Sequence, residues 1–65
     1  MIEGQIKMIK IYKDKIYRVG GTINGKDIDR IVEWSFDGSF GFNFYNIQGK
    51  LIQKIINIPV EIIYS

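Results

Sequence analysis

The sequence has no cysteine and no histidine. Without cysteine there is no disulfide to hold a small fold, and no thiolate to attack a substrate or ligate a metal. Without histidine, the commonest general base and the commonest transition-metal ligand are both missing. These two absences remove most small-enzyme and zinc-module readings. Alanine is also absent, leucine occurs once, and isoleucine fills 15 of the 30 apolar positions. The apolar set is therefore β-branched and aromatic, which favours strands over helices. No apolar run approaches the ~20 residues that span a bilayer. The N-terminal residues carry no basic segment followed by an apolar core, so no signal peptide is expected. The expectation is a cytoplasmic, non-membrane chain forming one domain over residues 1–65. Abundant Ile, Lys and Asn with no Ala points to AT-rich coding DNA, as in low-GC bacteria and their phages.

Charge nearly balances in sum, with a formal net charge of +2, but is uneven along the chain. Residues 1–26 carry Lys7, Lys10, Lys13, Lys15, Arg18 and Lys26 against Glu3 and Asp14. Residues 27–49 reverse the sign, with Asp27, Asp29, Glu33 and Asp37 against Arg30. A chain of this length buries only ~60% of its unfolded surface, so a partner or a second copy would add needed stability.

Turn signals recur every 10–12 residues, at Asp14-Lys15, Asn24-Gly25, Asp37-Gly38, Gln48-Gly49 and Pro59, and apolar alternation fills the gaps. This rhythm predicts an all-β antiparallel meander of five to six short strands. Asn24-Gly25 predicts a two-residue hairpin pairing Ile23 with Lys26, Gly21 with Ile28, Val19 with Arg30 and Tyr17 with Val32. Unbroken alternation then puts Tyr17, Val19, Ile23, Ile28, Val32 and Trp34 on the core face. Ile16, Arg18, Thr22, Asp27, Asp29, Ile31 and Glu33 fall on the other. A three-residue loop, Phe36-Asp37-Gly38, would pair Ser35 with Ser39 and bring Phe40, Phe42 and Phe44 to the face of Trp34. The first strand carries two apolar phases, Ile6 and Met8 against Ile9 and Ile11, which predicts a bulge or burial on both sides. Pro59 cannot sit in a central ladder, so the chain bends or steps to an edge there. A short turn at Asn57-Ile58-Pro59-Val60 before a closing strand resembles, in layout, an SH3-like or similar half-open barrel.

The chemistry on offer is thin. Ser35, Ser39, Ser65 and Thr22 have no histidine to activate them. Asp27 and Asp29 form a carboxylate pair of roughly 7 Å spacing with no third oxygen-rich segment, better read as solvated edge charges. Gly20-Gly21-Thr22 lacks the following Lys-Ser/Thr and helix of a phosphate loop. No catalytic set, cofactor or metal is expected. Two binding readings remain. In the first, Arg18, Ile31, Glu33, Asn43 and Tyr45 share an outward face and form the centre of a patch that covers a protein partner, or a second copy in a homodimer. Such a module would act as an adaptor or inhibitor. In the second, Lys7, Lys10, Lys13, Lys15 and Arg18, interleaved with Tyr12 and Tyr17, bind nucleic acid. Surplus apolar residues on both phases of the first strand and of residues 50–57, where Leu51 and Ile55 stand against Ile52 and Ile56, predict at least one exposed apolar face.

Overall fold

The computed structural model describes residues 5–11 and 15–64. Tyr12, Lys13, Asp14 and Ser65, and with them the turn expected at Asp14-Lys15, lie outside the described residues. The described chain is all-β and every strand pairing is antiparallel. The strands are β1 (Ile6–Ile11), β2 (Lys15–Arg18), β3 (Thr22–Ile23), β4 (Lys26–Asp27), β5 (Arg30–Phe36), β6 (Ser39–Tyr45), β7 (Leu51–Ile56) and β8 (Val60–Tyr64). They form two three-stranded sheets, β2-β1-β8 and β5-β6-β7, and a short hairpin, β3-β4. The sheets do not close into a barrel. The described residues form eight strands rather than five or six because the long hairpin expected around Asn24-Gly25 is interrupted. β2 leaves it to pair with β1, and β5 leaves it to pair with β6.

Two-residue Xxx-Gly turns close the β3-β4 and β5-β6 hairpins. Asn24 and Gly25 have φ of 52° and 78°, and Asp37 and Gly38 have 54° and 83°. Positive φ at both central residues is the two-residue turn whose twist matches that of the flanking strands. At Asn24-Gly25 this gives the expected partners, Ile23 with Lys26, and Thr22 with Asp27. The Ile28 N–H donates to the Gly21 carbonyl and the Gly20 N–H donates to the Ile28 carbonyl, each at 2.9 Å, which extends the hairpin by one step. It stops there: the Tyr17–Val32 and Val19–Arg30 partners are replaced by Tyr17–Ile9 and Arg30–Tyr45.

At Asp37-Gly38 the same geometry overturns the three-residue loop. Phe36 pairs with Ser39, Ser35 with Phe40, Trp34 with Gly41, Val32 with Asn43 and Ile31 with Phe44. An irregularity just before β5 completes the change. The Asp29 N–H donates to the Tyr45 carbonyl at 2.8 Å, while Arg30 is the ladder partner of Tyr45. Two residues therefore face one, as in a β-bulge, and the alternation flips. Ile28 and Ile31 both point inward, and Val32 and Trp34 point out.

One core cluster results, made of Ile6, Ile9, Ile11, Ile23, Ile28, Ile31, Phe42, Phe44 and Ile55. Tyr17 closes on it, with its ring edge-on to Phe44 at 5.7 Å. The expected aromatic core is corrected on two points: Trp34 sits on the opposite face, and Phe40 stays 40% exposed. The two phases of β1 are reconciled by a register shift between Ile6 and Met8 against β8. Pro59 lies in the connector that takes the chain from β7 in one sheet to β8 at the edge of the other. Asn57 sets that step. It adopts φ 56°, its N–H donates to the Phe40 carbonyl at 2.8 Å, and its Oδ1 accepts from the Phe40 N–H at 2.9 Å.

Candidate binding face

Residues directly opposite in an antiparallel ladder share a face. On β5-β6-β7 the outward set is Arg30, Val32, Trp34 and Phe36 from β5, Gly41, Asn43 and Tyr45 from β6, and Lys54 and Ile56 from β7. Gly41 is the reason this face has its shape. A Cβ there would lie 2.6 Å and 2.8 Å from Trp34 Cζ2 and Cε2, and against the Ile55 carbonyl. The indole therefore lies across a strip of bare backbone, covering Gly41 from β5 towards β7. Around this half-buried ring, Phe36 is 78% exposed and Ile56 50%, with Val32 exposed beside them.

The end of the face away from the Asp37-Gly38 turn is polar. The Arg30 guanidinium carbon lies 5.2 Å from the Tyr45 ring centroid, a cation–π contact. Asn43 Nδ2 donates to the Tyr45 hydroxyl at 3.1 Å. Two buried side-chain atoms on this face, Trp34 Nε1 and Asn43 Oδ1, have no hydrogen-bond partner among the described residues. One is a donor and the other an acceptor, and buried polar groups are ordinarily paired.

The residues expected to form the protein-binding patch are divided by this geometry. Asn43 and Tyr45 come together on the outward face. Ile31 is buried in the core, at 4% exposure. Glu33 shares the phase of Ile31 and is exposed at the rim, where its Oε1 accepts from the Tyr64 hydroxyl at 3.3 Å. Arg18 lies in the other sheet, opposite Met8. Its place beside Tyr45 is taken by Arg30, which the sequence reading left out. The signal for Arg30 was available: the Asp-Gly turn is of the same kind as Asn-Gly, and reading both as two-residue turns gives the observed β5-β6 register.

The basic residues of the alternative reading also divide. Lys10 and Arg18 share the outward face of β2-β1-β8, since Lys10 opposes Ile16 and Glu61 while Arg18 opposes Met8. Lys10 Nζ lies 4.0 Å from Glu61 Oε1. Lys7 is exposed at the β1 register shift, and Lys15 is exposed at the start of β2, on the phase of Ile11. Lys13 lies outside the described residues. Tyr17 points inward onto Phe44, so it offers no ring to a base. Among the described residues no cluster of three or more acidic, histidine or cysteine side chains could hold a metal ion, and no helix is long and apolar enough to cross a membrane. Comparison with protein families, curated proteins and solved structures gave no significant match.

Proposed function

We propose that the protein is a non-enzymatic binding module on an SH3-like, half-open barrel layout, and that it covers a surface of a protein partner with the outward face of β5-β6-β7. The layout is supported by the return of β8 to β1 and the short Asn57–Pro59 connector that precedes it. The observation that carries the function is the apolar patch of Phe36, Val32 and Ile56 around Trp34. Contiguous exposed apolar surface on a small protein marks an interaction site. Trp, Tyr and Arg are the residue types that concentrate binding energy, and Trp34, Tyr45 and Arg30 line this one face. The unpaired Trp34 Nε1 and Asn43 Oδ1 add a donor and an acceptor that an incoming backbone would satisfy. The partner surface is apolar at its centre and acidic where it meets Arg30 and Lys54.

The test is affinity capture from source-cell lysate, with and without nuclease, using the wild-type chain and the Phe36→Ser and Arg18→Ala variants. Phe36→Ser removes an exposed ring and should leave folding intact. It should weaken capture of a stoichiometric protein by about 30-fold, the effect of losing ~2 kcal/mol at a hot spot. Arg18→Ala should leave that capture unchanged. If nucleic acid is recovered instead, and Arg18→Ala rather than Phe36→Ser weakens it with a steep salt dependence, the basic strands are the functional surface.

A further inference from the structure

β5 is an edge strand: its ladder neighbour among the described residues is β6 alone. The two-residue turn at Asp37-Gly38 decides which of its backbone groups are used. Phe36 and Ser39 close the turn as a hydrogen-bonded pair, and bonding alternates from there. Trp34, Val32 and Arg30 therefore turn their N–H and C=O groups to β6. Ile31, Glu33 and Ser35 turn theirs away from it.

A cleft of about 600 Å³ lies against this edge, between Arg30–Glu33 on one side and Gln5, Ile6 and Tyr64 on the other. Successive side chains of a strand point to opposite faces, so a cleft lined by four consecutive residues runs along the strand's edge, not over a face. A smaller cavity of about 210 Å³ shares Gln5, Ile6 and Arg30 and adds Asp29, prolonging the groove in the same direction. The groove is the seam where the two sheets fail to close. Its floor is apolar, formed by the buried Ile6 and Ile31, and Glu33 and Arg30 mark its length.

We infer that this seam accepts an extended peptide segment that adds to β5 as an antiparallel strand. This site runs along the edge of the outward face assigned above and shares Val32 and Arg30 with it. Cross-strand complementarity specifies the segment. A basic residue opposes Glu33, an apolar residue opposes Val32, a second apolar residue opposes Ile31 and enters the cleft, and an acidic residue opposes Arg30. Read in chain direction, the motif is basic-apolar-apolar-acidic. Main-chain bonds to Ile31 and Glu33 hold the segment, and the alternate side chains select it, as in other strand-addition complexes. Charge disfavours a second copy of β5 as the occupant in the register of greatest overlap. Full overlap of two such strands sets Glu33 against its own counterpart, a like-charge pair directly opposed.

The test is a titration of the ¹⁵N-labelled protein with acetyl-Thr-Arg-Val-Ile-Glu-Thr-amide, followed by amide shifts. The expected result is saturable movement of the Ile31, Glu33 and Ser35 amides. N-methylation of the peptide at Arg or Ile, the positions facing the Ile31 and Glu33 backbone groups, should abolish binding. N-methylation at Val or Glu should change affinity less than threefold. Glu33→Lys should weaken the Arg-Val-Ile-Glu peptide at least threefold and favour its Glu-Val-Ile-Glu counterpart. No shift at 1 mM peptide overturns the inference. So do shifts that ignore the site of N-methylation, which would mark the cleft as a small-ligand pocket. Amide shifts that move with protein concentration alone would place a second copy on the edge and equally overturn it.

Discussion

Gly41→Ala is the substitution for which local and tertiary reasoning disagree in sign. In a strand interior, Gly→Ala ordinarily stabilises by roughly 0.5–1 kcal/mol, because it reduces the freedom of the unfolded chain. Here the new methyl would collide with the Ile55 carbonyl and with Trp34 at 2.6 Å and 2.8 Å. The carbonyl belongs to the neighbouring strand of the ladder and cannot move alone, and the indole would have to lift off the sheet. Overpacking of this kind costs about 1–3 kcal/mol, and two obstructed partners place the cost towards the upper end, about 2–3 kcal/mol net. A domain of this length has a total stability of roughly 3–10 kcal/mol. With an m-value of about 1 kcal/mol/M in urea, the midpoint should fall by about 2–3 M. Urea denaturation followed by far-UV circular dichroism measures it, and fluorescence of the sole tryptophan reports the displaced indole separately. Gly38→Ala is the control. Nothing lies within 4 Å of its Cβ, but φ is +83°, so only backbone strain of about 1–2 kcal/mol applies and the tryptophan emission should stay put. A Gly41→Ala variant with an unchanged or raised midpoint would refute the close packing of Trp34 on bare backbone, and with it the shape assigned to the outward face.

The remaining predictions concern the core, the β7–β8 connector and the surface. Phe44 is fully buried and meets the Tyr17 ring. Phe44→Ala should cost about 3–5 kcal/mol and abolish the cooperative transition, while Phe44→Leu should retain it. At Asn57 the left-handed φ and the Oδ1 bond to the Phe40 N–H act together. Melting temperatures should therefore rank Asn57 above Asp, then Gly, then Ala, and an Ala variant as stable as wild type would remove this role. The exposed Lys10–Glu61 pair, at 4.0 Å, should be worth less than ~0.5 kcal/mol. A double-mutant cycle giving more than 1 kcal/mol would contradict that.

Much of the fold is legible in the sequence because it is local. The strand content follows from fifteen isoleucines without alanine, the β3-β4 register from Asn24-Gly25, the broken phase of β1 from Ile6, Met8, Ile9 and Ile11, and the change of sheet from Pro59. What is not legible is the bulge at Asp29-Arg30. No glycine marks it, and it arises because the Tyr45 carbonyl, from a strand that follows later in the chain, collects the Asp29 N–H. Alternation carried unbroken through that point puts Val32 and Trp34 in the core. The Phe triplet then has to be brought to them by lengthening the loop at Asp37-Gly38. One missed residue thus forces one invented residue, and each looks reasonable because the other is present.

The consequence for the binding face is larger than a one-residue error suggests. In a sheet with period two, a slip of one exchanges the two faces of a strand. β6 escapes the exchange because Phe42 and Phe44 can only point inward, so Asn43 and Tyr45 stay outward under either register. β5 does not escape. Its two faces, Ile31, Glu33 and Ser35 against Arg30, Val32, Trp34 and Phe36, are both partly apolar, so its own composition cannot choose between them. The choice falls to Gly41. Only a residue without a side chain leaves room for the Trp34 ring beside the Ile55 carbonyl, and that pairing holds Trp34, and every second residue of β5 with it, on the outer surface. A strand ambiguous by hydropathy is thus oriented by a single vacancy on its neighbour. The same vacancy commits an indole, an exposed Phe36 and Arg30 to one face, and leaves the backbone groups of Ile31, Glu33 and Ser35 facing the open seam.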